Sequence, residues 1–596
     1  MGFLKSFLAS LLAIFVSFFL LFLLVLIMIV SSSRETEPFV RSGTVLEVRM
    51  GNTLREMPPS DPFSMLFMDP SREPVTLRGL RNNLEKAAAD DRIEGVWFQM
   101  NSISAPWTNL IALRDEMMAF RENSGKFIYV STDDIGFNEQ SFFLATAADS
   151  IFAPPETFFE FDGFFIQAVF IQDMLEKVGV EAQVFRAGEY KSAVEPFFRR
   201  DFSDENEEQL QSIVDNVANT FLSAVSERTG MPREELDAIM NDTPILTSRG
   251  AYEAGLIDLL TYPDDVKQRL ENRVVENGNN EMRTITYQRY NRVKRSTAGV
   301  KDPDTRDKIA VIHASGNIMP EFESDSPFPS SEENITYRNF SESLEAALED
   351  DNVKAIVVRI TSPGGAGSTS DLIWNKIREA SEEKPIIASM GSVAASGGYY
   401  IAMAADTIVA SSQTITGSIG VFGVAMNMQE LFNEKLGIHF DAVTSHDNAL
   451  WITPDRPMTS AARQRYQAYI DDFYDTFLER VALSRDMTVD EVRQAAAGRV
   501  WTGLEAQEAG LVDVIGELPT ALAIAAEKAG IEEYKIETFP KPKSLFDLFS
   551  GSAQAQVRKI FMPSIKELES LDPMIHILSS NPRAVIARIP FDHTIH

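Results

Sequence analysis

The chain has 596 residues, 44% hydrophobic and 24% charged, a composition that fits folded globular protein and a length beyond what one hydrophobic core organises. Its formal net charge of -32 disfavours nucleic acid as a partner, because phosphate binding needs clustered Lys and Arg. Cysteine is absent, which excludes thiol catalysis, Cys-ligated zinc and disulfides.

The first predicted element is Phe7 to Val30, 24 residues in which only Ser10 and Ser17 are polar. At about 1.5 Å rise per residue such a helix spans roughly 36 Å, enough to cross a bilayer core, and it exceeds the apolar stretch of a cleaved signal peptide. It predicts one uncleaved transmembrane anchor. Lys5 before it and Arg34 and Arg41 after it leave the orientation open. Glu208 to Thr229 follows with a long helical pattern, and Val274 to Asp307, polar and basic, reads as a linker. In the second half, Ala355 to Ile360 is a short β-branched run closed by a Ser-Pro-Gly-Gly turn, which predicts a buried strand. Leu372, Ile373, Ile377 and Ala380 then recur at helical spacing, Pro385 to Ser389 reads as another buried strand, and a Gly-rich turn leads into a helix from Tyr399. Ala462 to Ser484 carries a second long helical pattern, and the chain past Glu537 is punctuated by Pro, Ser and Gly. Strands alternating with helices imply parallel pairing and an α/β class.

Five blocks recur at offsets of 255 to 260. Asp90 to Phe98 resembles Asp350 to Val358, Ala147 to Ile151 resembles Ala404 to Ile408, and Glu176 to Val180 resembles Glu434 to Ile438. Thr220 to Leu222 matches Thr476 to Leu478, and Glu253 to Asp258 matches Glu508 to Asp513. Blocks in constant order at near-constant offset mark a tandem duplication. The expected organisation is an anchor in 1–42, repeats over 43–295 and 296–538, and a tail of unassigned role over 539–596.

The residues that bear chemistry divide between the halves. Ser396 lies between an apolar strand and a helix opened by Gly397 and Gly398, where unpaired backbone N–H groups and the helix dipole can steady an oxyanion. The same segment also describes a helix N-cap serine on a tight turn. The loop Thr361-Ser-Pro-Gly-Gly365 can donate a second such N–H or simply end its strand. None of His313, His439, His446, His576, His593 and His596 sits in a catalytic motif, and no His-Glu-x-x-His is present, so a zinc hydrolase is disfavoured. A lysine is the better base. Lys191 sits in Ala187-Gly-Glu-Tyr-Lys191-Ser-Ala-Val-Glu-Pro-Phe197, and burial lowers a lysine pKa enough to free its lone pair. The alternative is a solvated loop lysine. Ser418, in Thr416-Gly-Ser418-Ile-Gly420, is a hydroxyl able to orient the amine. Carried by the offset, Lys191 falls opposite Ala449 and Ser396-Gly397-Gly398 opposite Glu139-Gln140-Ser141. Each half alone is incomplete, and together they supply one dyad.

Gly188 to Phe197, Ser362-Pro-Gly-Gly365, Ala394 to Tyr400 and Thr416 to Gly423 in combination resemble the signal peptide peptidase SppA family in its long, duplicated bacterial form. The resemblance implies tandem ClpP/crotonase-like domains after one transmembrane helix, and serine peptidase activity on cleaved signal peptides and other short hydrophobic peptides. It assigns Ser396 as nucleophile, Lys191 as general base, Ser418 as the lysine-orienting hydroxyl, and Gly364, Gly365 and Gly397 as the oxyanion-hole region. It further implies no metal and no cofactor, a homotetramer, and catalytic domains on the periplasmic side of the bacterial cytoplasmic membrane. A crotonase-like acyl-CoA enzyme and a non-catalytic membrane scaffold are the competing readings.

Overall fold

Short aliphatic strands alternating with helices that bury one face build two parallel sheets of the same plan. The computed structural model describes residues 37–51, 53–57, 73–242, 244–279, 281–321, 334–541 and 586–588, with four isolated positions before residue 37. The predicted anchor, apart from Phe7, Val16 and Ser17, lies outside the described residues. Among the described residues no helix is long and apolar enough to cross a membrane.

The first half runs β1 (Thr44–Arg49), α1 (Leu77–Ala89), β2 (Ile93–Gln99), α2 (Trp107–Ser124), β3 (Phe127–Ser131), α3 (Glu139–Ala145), β4 (Ser150–Ala153), β5 (Glu181–Ala187), α4 (Asp204–Thr229), β6 (Leu259–Leu260) and β7 (Arg283–Thr286). Its sheet has the order β7-β1-β2-β3-β4-β6, parallel throughout. The second half runs β8 (Lys308–Ser315), β9 (Asn317–Ile318), α5 (Tyr337–Glu349), β10 (Val353–Ser362), β11 (Gly364–Ala366), α6 (Gly367–Ser381), β12 (Ile386–Ala395), α7 (Gly397–Ala402), β13 (Thr407–Ala410), β14 (Ile415–Gly417) and β15 (Val421–Asn427). It continues with α8 (Ser460–Arg485), β16 (Val500–Thr502), β17 (Val514–Ile515), β18 (Lys535–Phe539) and, after a long interval, β19 (Ile586–Arg588). The order β18-β8-β10-β12-β13-β17 is again parallel throughout and repeats the first sheet strand for strand.

The duplication is visible in individual bonds. Lys126 donates its ammonium to the carbonyls of Ala87 and Asp90 behind α1, and Lys384 does the same to Ala347, Leu348 and Asp350 behind α5. Asp149 accepts the N–H of Ile128 at 2.7 Å and Asp406 that of Ile386 at 2.8 Å. Asp258 and Asp513, each paired to an arginine, accept the N–H of Ile151 and of Ile408, both at 2.7 Å. These polar residues recur because each satisfies a backbone group that burial would otherwise leave unpaired.

One strand departs from this plan. β5 belongs to the first half, yet it pairs antiparallel with β15 of the second over the full register Glu181↔Asn427 to Ala187↔Val421. Phe185 and Ala187 accordingly pack into the second core, with Tyr400, Ile419, Val421 and Tyr466. The segment after β5 is thereby held against the second half. The expectation of a linker over Val274 to Asp307 is corrected: it holds β7 and a short helix, with Ile285, Tyr287 and Tyr290 buried. An edge strand needs few apolar contacts, so its hydrophobic pattern is sparse.

Candidate active site

The turn after β5 places Lys191, and two further turns meet it. Its ammonium nitrogen lies 2.7 Å from Ser396 Oγ, 2.9 Å from Ser418 Oγ and 2.9 Å from the Ser418 carbonyl oxygen. Lysine and Ser396 are 205 positions apart in the chain. All three side chains are fully buried. Burial holds the Lys191 pKa well below the usual lysine range. The structure thus brings together the three side chains that the sequence singled out.

Close backbone approach fixes the lysine. Tyr190 donates its N–H to the Ala497 carbonyl, and Ser418 donates its own to Arg499. A β-carbon at Gly498, whose φ is +83°, would lie 2.6 Å from the Lys191 backbone nitrogen, so only glycine allows this turn beneath the lysine. Gln209 on α4, fully buried, donates to the Tyr190 carbonyl and to Ser192 Oγ, and accepts the N–H of Val500. Ser192 donates to Asn206, which donates to Glu195, which in turn accepts from Ser203. The sequence reading missed this network. Its only signal was Glu195 in the quoted motif, followed eight residues later by an N-cap serine on a long helix.

Ser396, between β12 and α7, has a conformation rare for a non-glycine residue, φ +55° and ψ -114°. Its N–H is tied to the Gly417 carbonyl and its carbonyl to the N–H of Tyr400. α7 starts at Gly397, two residues before the helix read from sequence, and is only six residues long. Two strands, β13 and β14, separate it from Ser418. A β-carbon on Gly397 would stand 3.2 Å from the Gly364 Cα and from the Gly365 nitrogen. Gly364, Gly365 and Gly397 therefore cluster beside Ser396. The Gly364 N–H is taken by Ser362 Oγ at 3.2 Å, while the first-turn N–H groups of α7 have no intrahelical acceptor. His439 and His446 lie on an exposed segment.

The corresponding place in the first half is closed. Helix α3 is capped by Asn138, so the cap positions align Ser396 with Asn138, one residue from the Glu139 given by the sequence offset. Asn138 accepts the Ile103 N–H and donates to the Ile103 carbonyl, and Gln140 accepts the N–H of Ala105. The loop that replaces Ser362-Pro-Gly-Gly is thus stitched by side chains.

A model of "Peptidase family S49" matches residues 121–276 and again 378–532. The chain is 36% identical over 517 residues to "Serine protease SPPA, chloroplastic" of Arabidopsis thaliana, covering 86% of this chain and 74% of that protein. It is 30% identical to "Protease 4" of Salmonella typhi over 82% of this chain and 77% of that one, and 27% identical to "Protease 4" of Haemophilus influenzae over 83% and 82%. Among solved structures, a membrane-bound stomatin-specific protease aligns with 39% of this chain and 98% of its own at 15% identity and a TM-score of 0.26. With two matched copies of one domain and relatives that share most of its length, this chain belongs to peptidase family S49 and is a serine peptidase.

Proposed function

We propose that the chain is a membrane-anchored serine endopeptidase that works through a Ser396–Lys191 dyad and degrades short hydrophobic peptides, cleaved signal peptides among them. The observation that carries this reading is a buried lysine nitrogen 2.7 Å from a buried serine hydroxyl, with burial the cause of its lowered pKa. A neutral amine has two N–H donors and one lone pair. Ser418 Oγ and the Ser418 carbonyl accept the two donors, which leaves the lone pair for the Ser396 O–H.

As Ser396 Oγ attacks the scissile carbonyl, its proton passes to Lys191 and the carbonyl oxygen becomes an oxyanion held by backbone N–H groups at Gly365 and Gly397. Collapse breaks the C–N bond, and the lysine proton goes to the leaving amine. Water then attacks the acyl ester, gives its proton to Lys191, and the acid departs as Ser396 regains its hydrogen. No metal or cofactor enters these steps.

The 7–30 segment supports single-pass membrane anchoring, and the family resemblance supports the bacterial cytoplasmic membrane, catalytic halves on its periplasmic side and a homotetramer over repeats at 43–295 and 296–538. Purified protein is expected to hydrolyse a fluorogenic apolar peptide, and a serine-reactive phosphonate is expected to label Ser396. Activity that survives in Ser396→Ala or Lys191→Ala at the wild-type level would overturn the dyad.

A further inference from the structure

Strand β12 leaves its regular ladder just before the nucleophile. Its pairing with β10 runs from Ile356↔Ile386 to Ile360↔Met390 and resumes at Ser362↔Ala394, so Gly391, Ser392 and Val393 stand against Thr361 alone. A bulge of this kind re-aims the strand beyond it, here the end that leads into Ser396. Side chains bond the carbonyls along it. Thr414 Oγ1 donates to the Gly391 carbonyl and Thr416 Oγ1 to the Ala394 carbonyl, both at 2.8 Å, and Arg359 Nη1 donates to the Met390 carbonyl at 2.7 Å.

Of these three donors Arg359 carries a charge. It is buried on β10 and also donates to Ser389 Oγ at 2.9 Å. Its bonded counter-charge comes from the other half: Glu56, 303 positions earlier, accepts from Nε at 3.0 Å and from Nη2 at 3.2 Å. Burial opposes charge on Glu56, but the guanidinium outweighs it and holds the carboxyl below its usual range. His313 and Arg81 also face Glu56, and Glu517 faces Arg359. Backbone bonds seat Glu56 against the start of α1, where Leu77 donates its N–H to the Arg55 carbonyl and Arg78 donates to that of Glu56.

The equivalent place in the first half is built differently. Gln99 is in register with Ser131 as Arg359 is with Ser389, but it is neutral and bonds Glu47 of its own half. The pairing of β2 with β3 runs from Gly95↔Phe127 to Gln99↔Ser131 without a shift. Charge pair and bulge occur together, in the half that carries the nucleophile.

Resting on the Ser396–Lys191 reading, we propose that Glu56 and Arg359 are positioning residues for the nucleophile: the first half clamps the guanidinium, and the guanidinium holds the β12 bulge that aims Ser396 at Lys191. The first half then supplies the counter-charge that sets the serine as well as the base. The pair acts through Ser396, so it governs kcat and leaves KM unchanged.

The test compares full-length variants. Glu56→Gln leaves the guanidinium buried without its bonded counter-charge, and Glu56→Gln/Arg359→Met removes both charges, a change that buried ion pairs often tolerate in stability. Both are expected to lower kcat for a fluorogenic apolar peptide about tenfold or more with KM unchanged, while the double variant regains the melting temperature that Glu56→Gln loses. A pair that only props up the fold would return kcat together with the melting temperature. That result overturns the proposal, as does parental kcat in Glu56→Gln. Hydrogen exchange reads the bulge without catalysis. Amides of residues 391–397 in Glu56→Gln should exchange at least threefold faster than in the parent, with residues 353–358 unchanged, and equal exchange overturns the hold of the pair on the bulge. Failure of the phosphonate to label Ser396 in the parent overturns the dyad instead and leaves the exchange comparison standing.

Discussion

The side-chain oxygen of Gln209 accepts the N–H of Val500 at 3.0 Å, although 291 residues separate the two. The amide nitrogen of the same side chain bonds Tyr190 and Ser192, on either side of Lys191. Val500 opens β16, which pairs with β14, and Ser418 follows β14 directly. One buried amide thus sets the spacing between the lysine turn and the Ser418 turn. Gln209→Leu leaves a buried N–H and carbonyl unpaired, which costs about 1–3 kcal/mol for each group left unsatisfied, and displacement of the lysine is expected to lower kcat about 10- to 100-fold. Gln209→Glu keeps the acceptor but sets a carboxylate beside the lysine turn. A carboxylate there favours the ammonium, so the acid limb of the kcat–pH profile should move to higher pH. A residue that only props up the fold would not move that limb.

Lys191 carries its own pH signature. The folded state depresses its pKa by burial, so at any pH between the folded and unfolded values the unfolded chain holds the extra proton. Stability should therefore rise with pH across that window and level off above the unfolded value of about 10.4. Lys191→Met removes the titrating group. Its melting temperature should exceed that of the parent at neutral pH, the gap should narrow toward alkaline pH, and kcat should fall on the order of 10²–10⁴-fold. Thermal melts at several pH values beside peptide hydrolysis check both; a melting temperature below the parent's at every pH would contradict a lysine buried without its charge.

Gly365 in β11 has little freedom to change. Its φ of +152° is disallowed for a side chain, and a β-carbon there would lie 2.0 Å from the Ile318 carbonyl oxygen on β9. Gly365→Ala must push β11 away from β9, and so shift the amides beside Ser396. The expected result is a fall in kcat of about 100-fold or more with a folded, phosphonate-reactive enzyme of reduced rate. Gly163→Ala has an open site by contrast, although its φ of +110° adds local strain, and serves as a control for positive φ alone.

How legible this was depended on whether a feature repeats. Duplicated residues such as Asp149 and Asp406 do the same work in both halves, and a block recurring at near-constant offset exposes them. Lys191 and Ser396 were found by the opposite sign, since each lacks a counterpart at its offset. The exchange of β5 was not legible, because pairing across 240 residues leaves no local trace in a seven-residue strand. Gln209 was invisible for a related reason: an amide on a long helix reads as a solvated face until its neighbours are known. The tail strand escaped because a three-residue strand within a Pro- and Ser-punctuated segment carries too little periodicity to stand out. The helix at Gly397 began earlier than read because glycines depress helix propensity, and here tertiary packing overrides them.

Glu139 offers a test in the half without the serine. It begins α3, is largely buried, and accepts the N–H of Asp162. Burial, with Asp162 and Glu160 adding repulsion, pushes its pKa up to about 7. The folded state therefore binds more protons than the unfolded chain between pH 4.5 and about 7, and stability should fall as pH rises through that range. The total change is on the order of 3 kcal/mol, from a shift of about 2.5 units at 1.36 kcal/mol per unit. Glu139→Gln keeps an acceptor and cannot ionise, so its melting temperature should match the parent near pH 4 and exceed it near pH 8. Peptide hydrolysis should be unchanged, because Asn138 and Gln140 already close this place to a peptide strand. A variant that lost activity while gaining stability would assign the first half a part in the chemistry beyond the donation of Lys191.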